Sequence, residues 1–294
     1  MENVLVTIGL CVKNCEKTIG PTLDGVISQD YPHNLMEIIV VDDGCNDKTI
    51  SIVVEKLSKT DINFRLLETG GSGLGAARQK VVDHANGKYV VWIDGDITVP
   101  PEHISKQVEF MELHPGVGKA RANWGWFETG KVVGDLQFLA YVDEVRRGIQ
   151  STMAGTGGSI CRVDAIKDAG GFDTRIKGAG EDVDLAIRMN ARGWNFSVSD
   201  TVFYHKPRMS WKGLWNQYTW YGYGAHYVSH KHQLKGIRLA RPPPLAFVIG
   251  IKKSISAFKF TRKKISFFLP ISFLFGSFAW WIGFAKAHIE KYNP

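Results

Sequence analysis

Two apolar runs in this chain each end in closely spaced carboxylates. Ile38–Val41 is followed by Asp42 and Asp43, and Tyr89–Ile93 is followed by Asp94, Gly95 and Asp96. An apolar run of this kind predicts a buried strand, and side chains emerge from the core where the strand ends. Ligands of open α/β sheets bind at the carboxyl edge of the strands. We therefore predict an acidic crevice at that edge, suited to a divalent cation and a diphosphate because hard cations prefer oxygen ligands.

A glycine-rich loop, Gly70–Gly75, precedes a predicted helix that carries Arg78. The loop lacks the Gly-Lys-Ser/Thr ending of a Walker A motif, and its glycines miss the GxGxxG spacing of dinucleotide-binding turns. Arg78 lies at the start of this helix, from where its side chain would point into the crevice and pair with the carboxylates there. The alternative interpretation is an arginine exposed on the surface.

A second glycine-rich segment, Lys177–Gly180, precedes Glu181 and Asp182. Acidic residues are common at the first positions of a helix, where they stabilise the exposed N–H groups. A carboxylate at the end of a mobile glycine loop would equally suit a general base that acts on a bound substrate. The spacing alone does not separate these two interpretations.

The elements that position these residues alternate between strands and helices. Strands are predicted at 4–12, 38–41, 64–67 and 88–93, and helices at 18–28, 47–58 and 76–85. Such alternation is typical of βαβ units, so we predict an α/β fold with a mostly parallel sheet flanked by helices. Beyond Pro100 the alternation is less regular, and further helices are predicted at 102–113, 134–149, 162–169 and 181–191.

The cysteine content and the N-terminus bear on the compartment. The four cysteines, Cys11, Cys15, Cys45 and Cys161, form no CxxC pair and no disulfide framework, which favours a reducing compartment. The first residues carry no basic segment and no cleavage site of small residues. We therefore interpret Val4–Val12 as the first strand and not as a signal peptide.

Charge is divided unevenly along the chain. The net charge of +7 combines 21 basic and 28 acidic residues before Thr201 with 15 basic residues and a single acid, Glu290, from there on. A basic segment of this size indicates nucleic acid or a membrane surface as a partner.

The C-terminal part combines a basic cluster with an apolar segment. Arg241–Pro244 predicts a stiff, extended linker. Six basic residues then precede Ile265–Ala285, a segment without charge that is long enough to cross a bilayer. A helix lying in the membrane interface and a helix docked on the domain are the alternatives. A spanning helix would place the domain in the cytoplasm, because basic residues remain on that side.

These patterns predict one catalytic domain followed by a membrane segment. The predicted divisions are a domain at 1–230 with halves 1–100 and 101–230, a basic linker and juxtamembrane segment at 231–264, and a transmembrane or interfacial helix at 265–285.

Several of these motifs together resemble one enzyme family. The motifs are Val41–Gly44 followed by Asn46–Thr49, Gly75–Arg78, Trp92–Asp96, Gly157–Ser159, Gly170–Asp173 and Glu181–Leu185. In this order, between Val4 and Gly224, the chain resembles the family 2 glycosyltransferases with a GT-A fold, including members associated with membranes.

The resemblance implies a role for each group of residues. The nucleotide of a nucleoside-diphosphate sugar would contact Cys11, Val12, Asn14, Asp42, Asp43, Arg78, Asp94 and Gly95. A Mg²⁺ or Mn²⁺ ion bridging the diphosphate would bind Asp96, with Asp94 and His205 as further ligands. A structural role is the alternative for His205. Asp182 would deprotonate the acceptor hydroxyl, and Gly157, Gly158, Glu181 and Trp220 would contact the acceptor or substrate.

Two departures from the family pattern refine the expected activity. Cys11 stands where the family often has proline, three residues before Asn14. Gln217–Trp220 lacks the arginine of the QxxRW motif of processive polymerases, so we expect transfer of a single sugar. The aromatic stretch Trp211–Tyr227 would line an acceptor groove or, alternatively, pack as an amphipathic helix.

We therefore expect an inverting, metal-dependent glycosyltransferase. Its donor would be a UDP-linked sugar, and its acceptor a polyprenyl phosphate or lipid-linked glycan at an anionic membrane surface. A nucleotidyltransferase that makes an activated sugar is the first alternative, but Asn14–Lys17 is short and glycine-free where such enzymes have a glycine-rich basic loop. A nucleic-acid-binding protein is the second. Because the basic residues flank an apolar segment, we expect no nucleic-acid partner.

Overall fold

The computed structural model describes residues 5–125, 129–142, 155–234 and 242–294. The strands are β1 Val6–Val12, β2 Met36–Asp42, β3 Asn63–Glu68, β4 Tyr89–Trp92, β5 Ile97–Thr98, β6 Val117–Gly125, β7 Ser159–Arg162 and β8 Asn195–His205. The helices are α1 Ile19–Ile27, α2 Thr49–Leu57, α3 Leu74–His84, α4 His103–Leu113, α5 Val132–Leu139, α6 Val163–Asp168, α7 Glu181–Ala191, α8 Trp211–Lys231, α9 Pro243–Thr261 and α10 Leu269–Ile289.

These elements belong to two compact units. The first falls within 1–125, 151–177 and 181–206, and the second within 126–150, 178–180 and 207–294. The first unit holds the whole sheet and the second holds α5, α8, α9 and α10. The predicted domain at 1–230 thus takes in the first unit and also α5 and nearly all of α8, two helices of the second.

The sheet of the first unit has the strand order β3-β2-β1-β4-β7-β6-β8-β5. Its first four strands are all parallel, with Ile8 opposite Ile38 and Val91. The sequences of β1, β2 and β4 are apolar runs because helices cover both faces of these strands, so side chains on both faces are buried, whereas the edge strand β3 is only partly buried. The prediction of a parallel βαβ sheet is confirmed for this half. The predicted first strand begins at Val6 in the structure, and Val4 lies outside the described residues.

The other half of the sheet is mixed. β7 pairs antiparallel with both β4 and β6, β5 pairs antiparallel with β8, and β6 and β8 are parallel. β6 and β8 were not predicted, because polar and charged residues interrupt the apolar pattern of both strands. The helices predicted at 102–113, 162–169 and 181–191 form within one residue of their expected bounds. The helix predicted at 134–149 forms as α5 up to Leu139, and its part from 143 lies outside the described residues.

The second unit contains closely packed helices. A side chain at Gly222 of α8 would collide with the carbonyl of Trp280, and one at Gly283 of α10 with the carbonyl of Thr219. The two backbones therefore touch at these glycines. The helical segment Lys264–Ile289, which includes α10, is long and apolar enough to cross a membrane. Its most apolar part has a mean hydropathy of 1.7 and is 28% buried.

The prolines at 242–244 do not form the stiff linker that the sequence predicts, because they begin α9. Pro243 and Pro244 occupy the first turn of α9, where proline is well tolerated because the N–H it lacks has no partner within the helix. Thr261 ends a helix that occupies most of the predicted linker at 231–264. Arg241 lies outside the described residues.

A buried histidine connects α4 to β8 and to the loop before β7. His103 is fully buried, and its Nδ1 lies 2.9 Å from the carbonyl oxygen of Val202. Its Nε2 lies 3.1 Å from the Gln107 amide nitrogen, which also donates to the carbonyl of Gly158. Both contacts suit a neutral imidazole, and burial lowers the pKa of His103 to about 4.

Folding stability should therefore decrease on acidification. Below pH 6.5 the unfolded chain binds a proton at His103 that the folded chain excludes until about pH 4. The contribution of His103 lost between pH 7 and pH 5 is about 2 kcal/mol. Urea unfolding at both pH values should show a smaller decrease for His103→Gln than for the wild type. The control His114→Gln, at an exposed imidazole, should behave as the wild type, and an equal decrease in all three proteins would contradict the assignment.

Candidate active site

Asp43 follows β2 and is held firmly at the carboxyl edge of the sheet. Its Oδ1 accepts hydrogen bonds from the Thr69 hydroxyl at 2.7 Å and the Gly73 N–H at 2.9 Å. The Lys13 ammonium lies 3.4 Å from its Oδ2. Gly73 has φ +100, a conformation that favours glycine, and it allows the loop to present its N–H just before α3 begins. The side chain of Asp43 is therefore preoriented.

Asp42, beside it, has a local structural role. Its Oδ1 accepts from the N–H groups of Gly44 at 3.0 Å and Cys45 at 2.7 Å, which forms the turn after β2. Asn14 closes the same turn from β1, because its side-chain oxygen accepts from the Asn46 N–H at 2.9 Å. The Val12 carbonyl accepts from the Asp43 N–H. Val12 and Asn14 thus lie at the same edge as Asp43.

Arg78 of α3 lies in the crevice and not on the surface. It is 3% exposed, its Nη2 lies 3.2 Å from Asp94 Oδ1, and its Nη1 forms an ion pair with Glu181. Burial alone would lower the pKa of the guanidinium, but the charges of Glu181 and Asp94 outweigh it and raise the pKa. The sequence expectation that Arg78 pairs with the crevice carboxylates agrees with this geometry.

Cys11 lies near the carboxyl end of β1, opposite Val41 of β2. Burial raises the pKa of its thiol, and the charges of Arg78, Asp94, Glu181 and Asp43 all act on it. These groups come from four segments that are far apart in sequence. Asp43 and Asp94 follow the carboxyl ends of β2 and β4, so both lie at the edge of the sheet where β1 also ends.

Asp96 lies next to His205. The carboxylate Oδ2 is 3.4 Å from the imidazole Nε2, and the backbone carbonyl of Asp96 accepts from the Lys206 N–H. The β5–β8 ladder, in which Ile97 opposes His205, fixes this approach. Gly95 is required between the two aspartates, since a Cβ there would lie 2.6 Å from Cys15 Sγ.

The donor set at Asp96 fits a Mg²⁺ or Mn²⁺ ion. Carboxylate and imidazole atoms at this spacing can share one cation, and Mg²⁺ usually takes one or two carboxylates with waters and phosphates. Within the described ranges, Asp94 does not complete a compact set of three ligand atoms with Asp96 and His205. Asp94 as a second metal ligand stays a prediction.

Glu181 and Asp182 begin α7 with different surroundings. Glu181 is 2% exposed; burial raises the pKa of its carboxyl group, and Arg78 opposes that rise. Asp182 is less buried, and its Oδ2 accepts a hydrogen bond from the Gly155 N–H. The two carboxylates therefore have different roles. Glu181 ties the start of α7 to Arg78, whereas the Asp182 carboxylate lies beside Gly155, in the glycine loop before β7.

The glycine loop before β7 approaches Asp94 closely. A Cβ at Gly157 would lie 2.8 Å from Asp94 Oδ2, and one at Gly158 would collide with Phe203. The backbone of the loop therefore reaches the crevice where no other residue type fits. Trp220 belongs to the second unit, on α8, where it is 39% exposed. Its predicted acceptor contact stays a prediction.

Lys119 and Arg121 were missed by the sequence reasoning. Both lie on β6; Lys119 is 3% exposed, and burial lowers the pKa of its ammonium while Asp182 opposes that decrease. A Cβ at Gly155 would lie 3.3 Å from the Arg121 guanidinium. The sequence signal for this strand was the alternation of apolar residues at Ala120, Ala122 and Trp124. The two cations on either side of Ala120 made the segment look like an exposed one.

Comparison with known proteins defines the class of this chain. The profile of Glycosyl transferase family 2 matches residues 7–170, more than half of the chain, and that of Glycosyl transferase family group 2 matches residues 89–287. The chain belongs to glycosyl transferase family 2 and is a glycosyltransferase. The predicted family and enzyme class are thereby confirmed.

Individual relatives agree with this membership. A poly-beta-1,6-N-acetyl-D-glucosamine synthase of Staphylococcus epidermidis is 26% identical over 235 residues, which cover 74% of this chain and 54% of the synthase. The chain thus spans about half the length of the synthases that it matches.

Solved structures confirm the predicted GT-A-like fold. Mannosyltransferase PcManGT from Pyrobaculum calidifontis, in complex with GDP-Man and Mn²⁺, superposes with a TM-score of 0.69 at 19% identity, covering 97% of this chain and 87% of its own. Staphylococcus aureus TarS 1–349, in complex with UDP, has a TM-score of 0.51 at 18% identity and covers 88% and 73%.

The Arg78–Glu181 ion pair should matter greatly for stability. Glu181→Ala leaves a buried guanidinium with one carboxylate fewer, so the free energy of unfolding should decrease by about 3–5 kcal/mol. Arg78→Met combined with Glu181→Leu should recover part of this loss, because no buried charge then lacks its partner. Urea unfolding of the wild type and of both variants measures these changes.

The matched control is Glu55→Ala, which removes an ion pair with Lys59 whose side chains are both 69% exposed. This substitution should change stability little, because water and salt screen exposed pairs. If Glu181→Ala cost no more than this control, the proposed anchoring role of Glu181 would be wrong.

Proposed function

We propose that this chain is an inverting, metal-dependent glycosyltransferase that moves a single sugar from a UDP-linked donor to a membrane-associated acceptor. The observation that carries the proposal is that Arg78 forms ion pairs with Asp94 and Glu181 at the carboxyl edge of the sheet, where Asp43 also lies. This edge is where open α/β sheets bind nucleotides.

The donor nucleotide would lie between Asp43 and the Asp96–His205 pair. The fixed carboxylate of Asp43 suits an N–H donor on the edge of a nucleobase, and Asp94 suits the ribose hydroxyls. Uracil and guanine both offer such an N–H, and the similar structures were solved with UDP and with GDP-Man. The complexes of TarS with UDP and with UDP-GlcNAc favour UDP.

The residues of the chain would divide the reaction between them. The Asp182 carboxylate takes the proton of the acceptor hydroxyl as that oxygen attacks the anomeric carbon. The bond from this carbon to the diphosphate oxygen breaks on the opposite face, so the configuration inverts. Mg²⁺ or Mn²⁺ at Asp96 and His205 would stabilise the charge on the departing diphosphate. Arg78 fixes Asp94 and Glu181, and through Glu181 the start of the helix that carries Asp182.

The acceptor would approach from the side of the glycine loop. Gly155 bonds to Asp182 through its N–H, and Gly157 lies against Asp94, so the loop borders both reacting partners. Arg121, whose guanidinium approaches Gly155, adds positive charge on the neighbouring strand, which suits an acceptor with a phosphate or another anionic group. The missing arginine in Gln217–Trp220 supports release after one transfer.

Two conservative substitutions test the assignment of roles. Asp182→Asn should lower the transfer rate by about 10²–10⁴ while leaving UDP binding unchanged, because it removes only the base. Asp96→Asn should abolish the increase in UDP affinity that Mn²⁺ produces. Isothermal titration with UDP and GDP, each with and without Mn²⁺, and transfer assays with a panel of UDP-sugars measure these effects.

Asp164→Asn, at an exposed aspartate on α6, is the matched control and should retain full activity. An active Asp182→Asn enzyme would remove the base assignment. Binding of GDP in preference to UDP would replace the proposed donor without affecting the site.

The second unit would bind the membrane surface that holds the acceptor. The exposed apolar side chains of α9 and α10 form what we term the apolar surface, made of Leu245, Phe247, Val248, Ile251, Ile255, Phe260, Ile271, Phe278, Ile282 and Ile289. Basic residues adjoin it at Lys252, Lys253, Lys259, Arg262, Lys263 and Lys264. Apolar side chains bordered by cations match an anionic lipid surface, where each cation adds about 1 kcal/mol of attraction.

The packing of α10 favours a position in the membrane interface over a span. One face of α10 is buried along α8 at Gly283, and the opposite face, with Phe278 and Ile282, is exposed. α8 carries the exposed polar side chain of Asn216 within its length, which would be costly in the hydrocarbon core if α8 accompanied α10 across the bilayer. The helix would thus insert its exposed face into one leaflet, on the cytoplasmic side, where anionic lipids attract basic segments.

Vesicle flotation tests this placement. The full chain should float with vesicles that contain anionic lipid and much less with neutral vesicles, and high salt should weaken the association. Phe278→Glu combined with Ile282→Glu should abolish flotation, whereas the control Leu113→Glu, at an exposed apolar residue of α4, should not. Equal flotation of all variants would contradict the apolar surface as the contact. Resistance to alkaline extraction would instead indicate a spanning helix.

A further inference from the structure

Three histidines outside the candidate active site converge in the second unit, where α8 packs against α10. His226 and His230 are one helical turn apart on α8, and His288 lies in the last turn of α10. One ligand atom from each lies within 4.8 Å of the others. His226 is buried, while His230 and His288 are exposed, so the cluster is open to solvent on one side.

The hydrogen bonds of two rings fix which nitrogens face one another. The Nδ1 atoms of His226 and His230 lie 2.9 and 2.8 Å from the carbonyl oxygens of Tyr292 and His226. A carbonyl only accepts, so each Nδ1 carries the hydrogen and each Nε2 keeps its lone pair. Imidazole ligands of metals are usually oriented by such a bond from the second ring nitrogen to a carbonyl.

The spacing of the ring nitrogens suits one tetrahedral ion. His226 Nε2 and His288 Nδ1 are 3.2 Å apart. Two nitrogens about 2.0–2.1 Å from one tetrahedral zinc ion lie roughly 3.3 Å from each other. A direct N–H···N hydrogen bond would explain this pair equally well. It gives no reason for the third ring, His230, whose centroid lies 4.1 Å from that of His226.

We propose that His226, His230 and His288 bind one Zn²⁺ ion, with the fourth position open to water. Three imidazoles prefer Zn²⁺ and other late transition metals, whereas the Asp96 site prefers Mg²⁺ or Mn²⁺, so the two sites differ in their choice of metal. The ion would join α8 to the end of α10. Because His226 also contacts the carbonyl of Tyr292, the ion would hold the residues that follow α10 as well. It would thus stabilise the helix pair that carries part of the apolar surface.

Zinc binding by the untagged full chain, without nucleotide, tests this proposal. Competition against a chromogenic zinc chelator should show one Zn²⁺ per chain. His230→Asn and His288→Asn should each weaken zinc affinity by more than the 10- to 100-fold that loss of an outer-shell partner costs. Both side chains are exposed, so both variants should fold, as circular dichroism will verify. Zn²⁺ should raise the melting temperature of the wild type but not of the two variants.

Two controls make the result decisive. His232→Asn changes a histidine just beyond α8 that is not part of the cluster, and Asp96→Asn changes the active-site metal ligand. Both should bind Zn²⁺ as the wild type does. Zinc affinity that is unchanged in His230→Asn and His288→Asn, lost in Asp96→Asn, or absent from the wild type would overturn the proposal.

Discussion

The buried guanidinium of Arg78 is the constraint on which the rest of the site depends. A cation that is 3% exposed is stable only beside carboxylates, and Arg78 has two, Asp94 from the end of β4 and Glu181 from the start of α7. These residues belong to segments about 90 positions apart in sequence. Through this cation the parallel half of the sheet is tied to the helix that carries Asp182. The spacing between Asp94 and Asp182 is thus set by a buried ion-pair cluster.

The remaining carboxylates of the crevice differ in how they are held. Asp43 has its hydrogen-bond partners in place at Thr69 and Gly73, which prepares it to recognise a ligand with little rearrangement. Asp96 lies instead beside the imidazole of His205, at a distance that one cation can bridge. The crevice therefore contains a carboxylate that the protein holds in place, Asp43, and a pair of metal-ligating side chains, Asp96 and His205, suited to a cation that binds a diphosphate. This division supports the proposed transfer from a nucleoside-diphosphate sugar.

Much of this arrangement could be predicted from the sequence, for physical reasons. Strands such as Ile38–Val41 are buried on both faces, so their apolar runs and the carboxylates that end them were recognisable. A position of Arg78 beside the crevice carboxylates was expected as one of two alternatives, but its pairing with Glu181 was not expected, because a contact between distant segments leaves no local pattern. Lys119 was missed because a buried cation in a strand contradicts the usual alternation. The helix Pro243–Thr261 was missed because prolines that start a helix resemble a linker.

The most direct test of the account is a crystal structure with UDP and Mn²⁺, with data collected at the manganese absorption edge. The account predicts an anomalous peak for manganese beside the Asp96 carboxylate, with the diphosphate of UDP bound to that ion. The uracil ring should lie against Asp43. Manganese bound away from Asp96, or uridine bound away from Asp43, would contradict it.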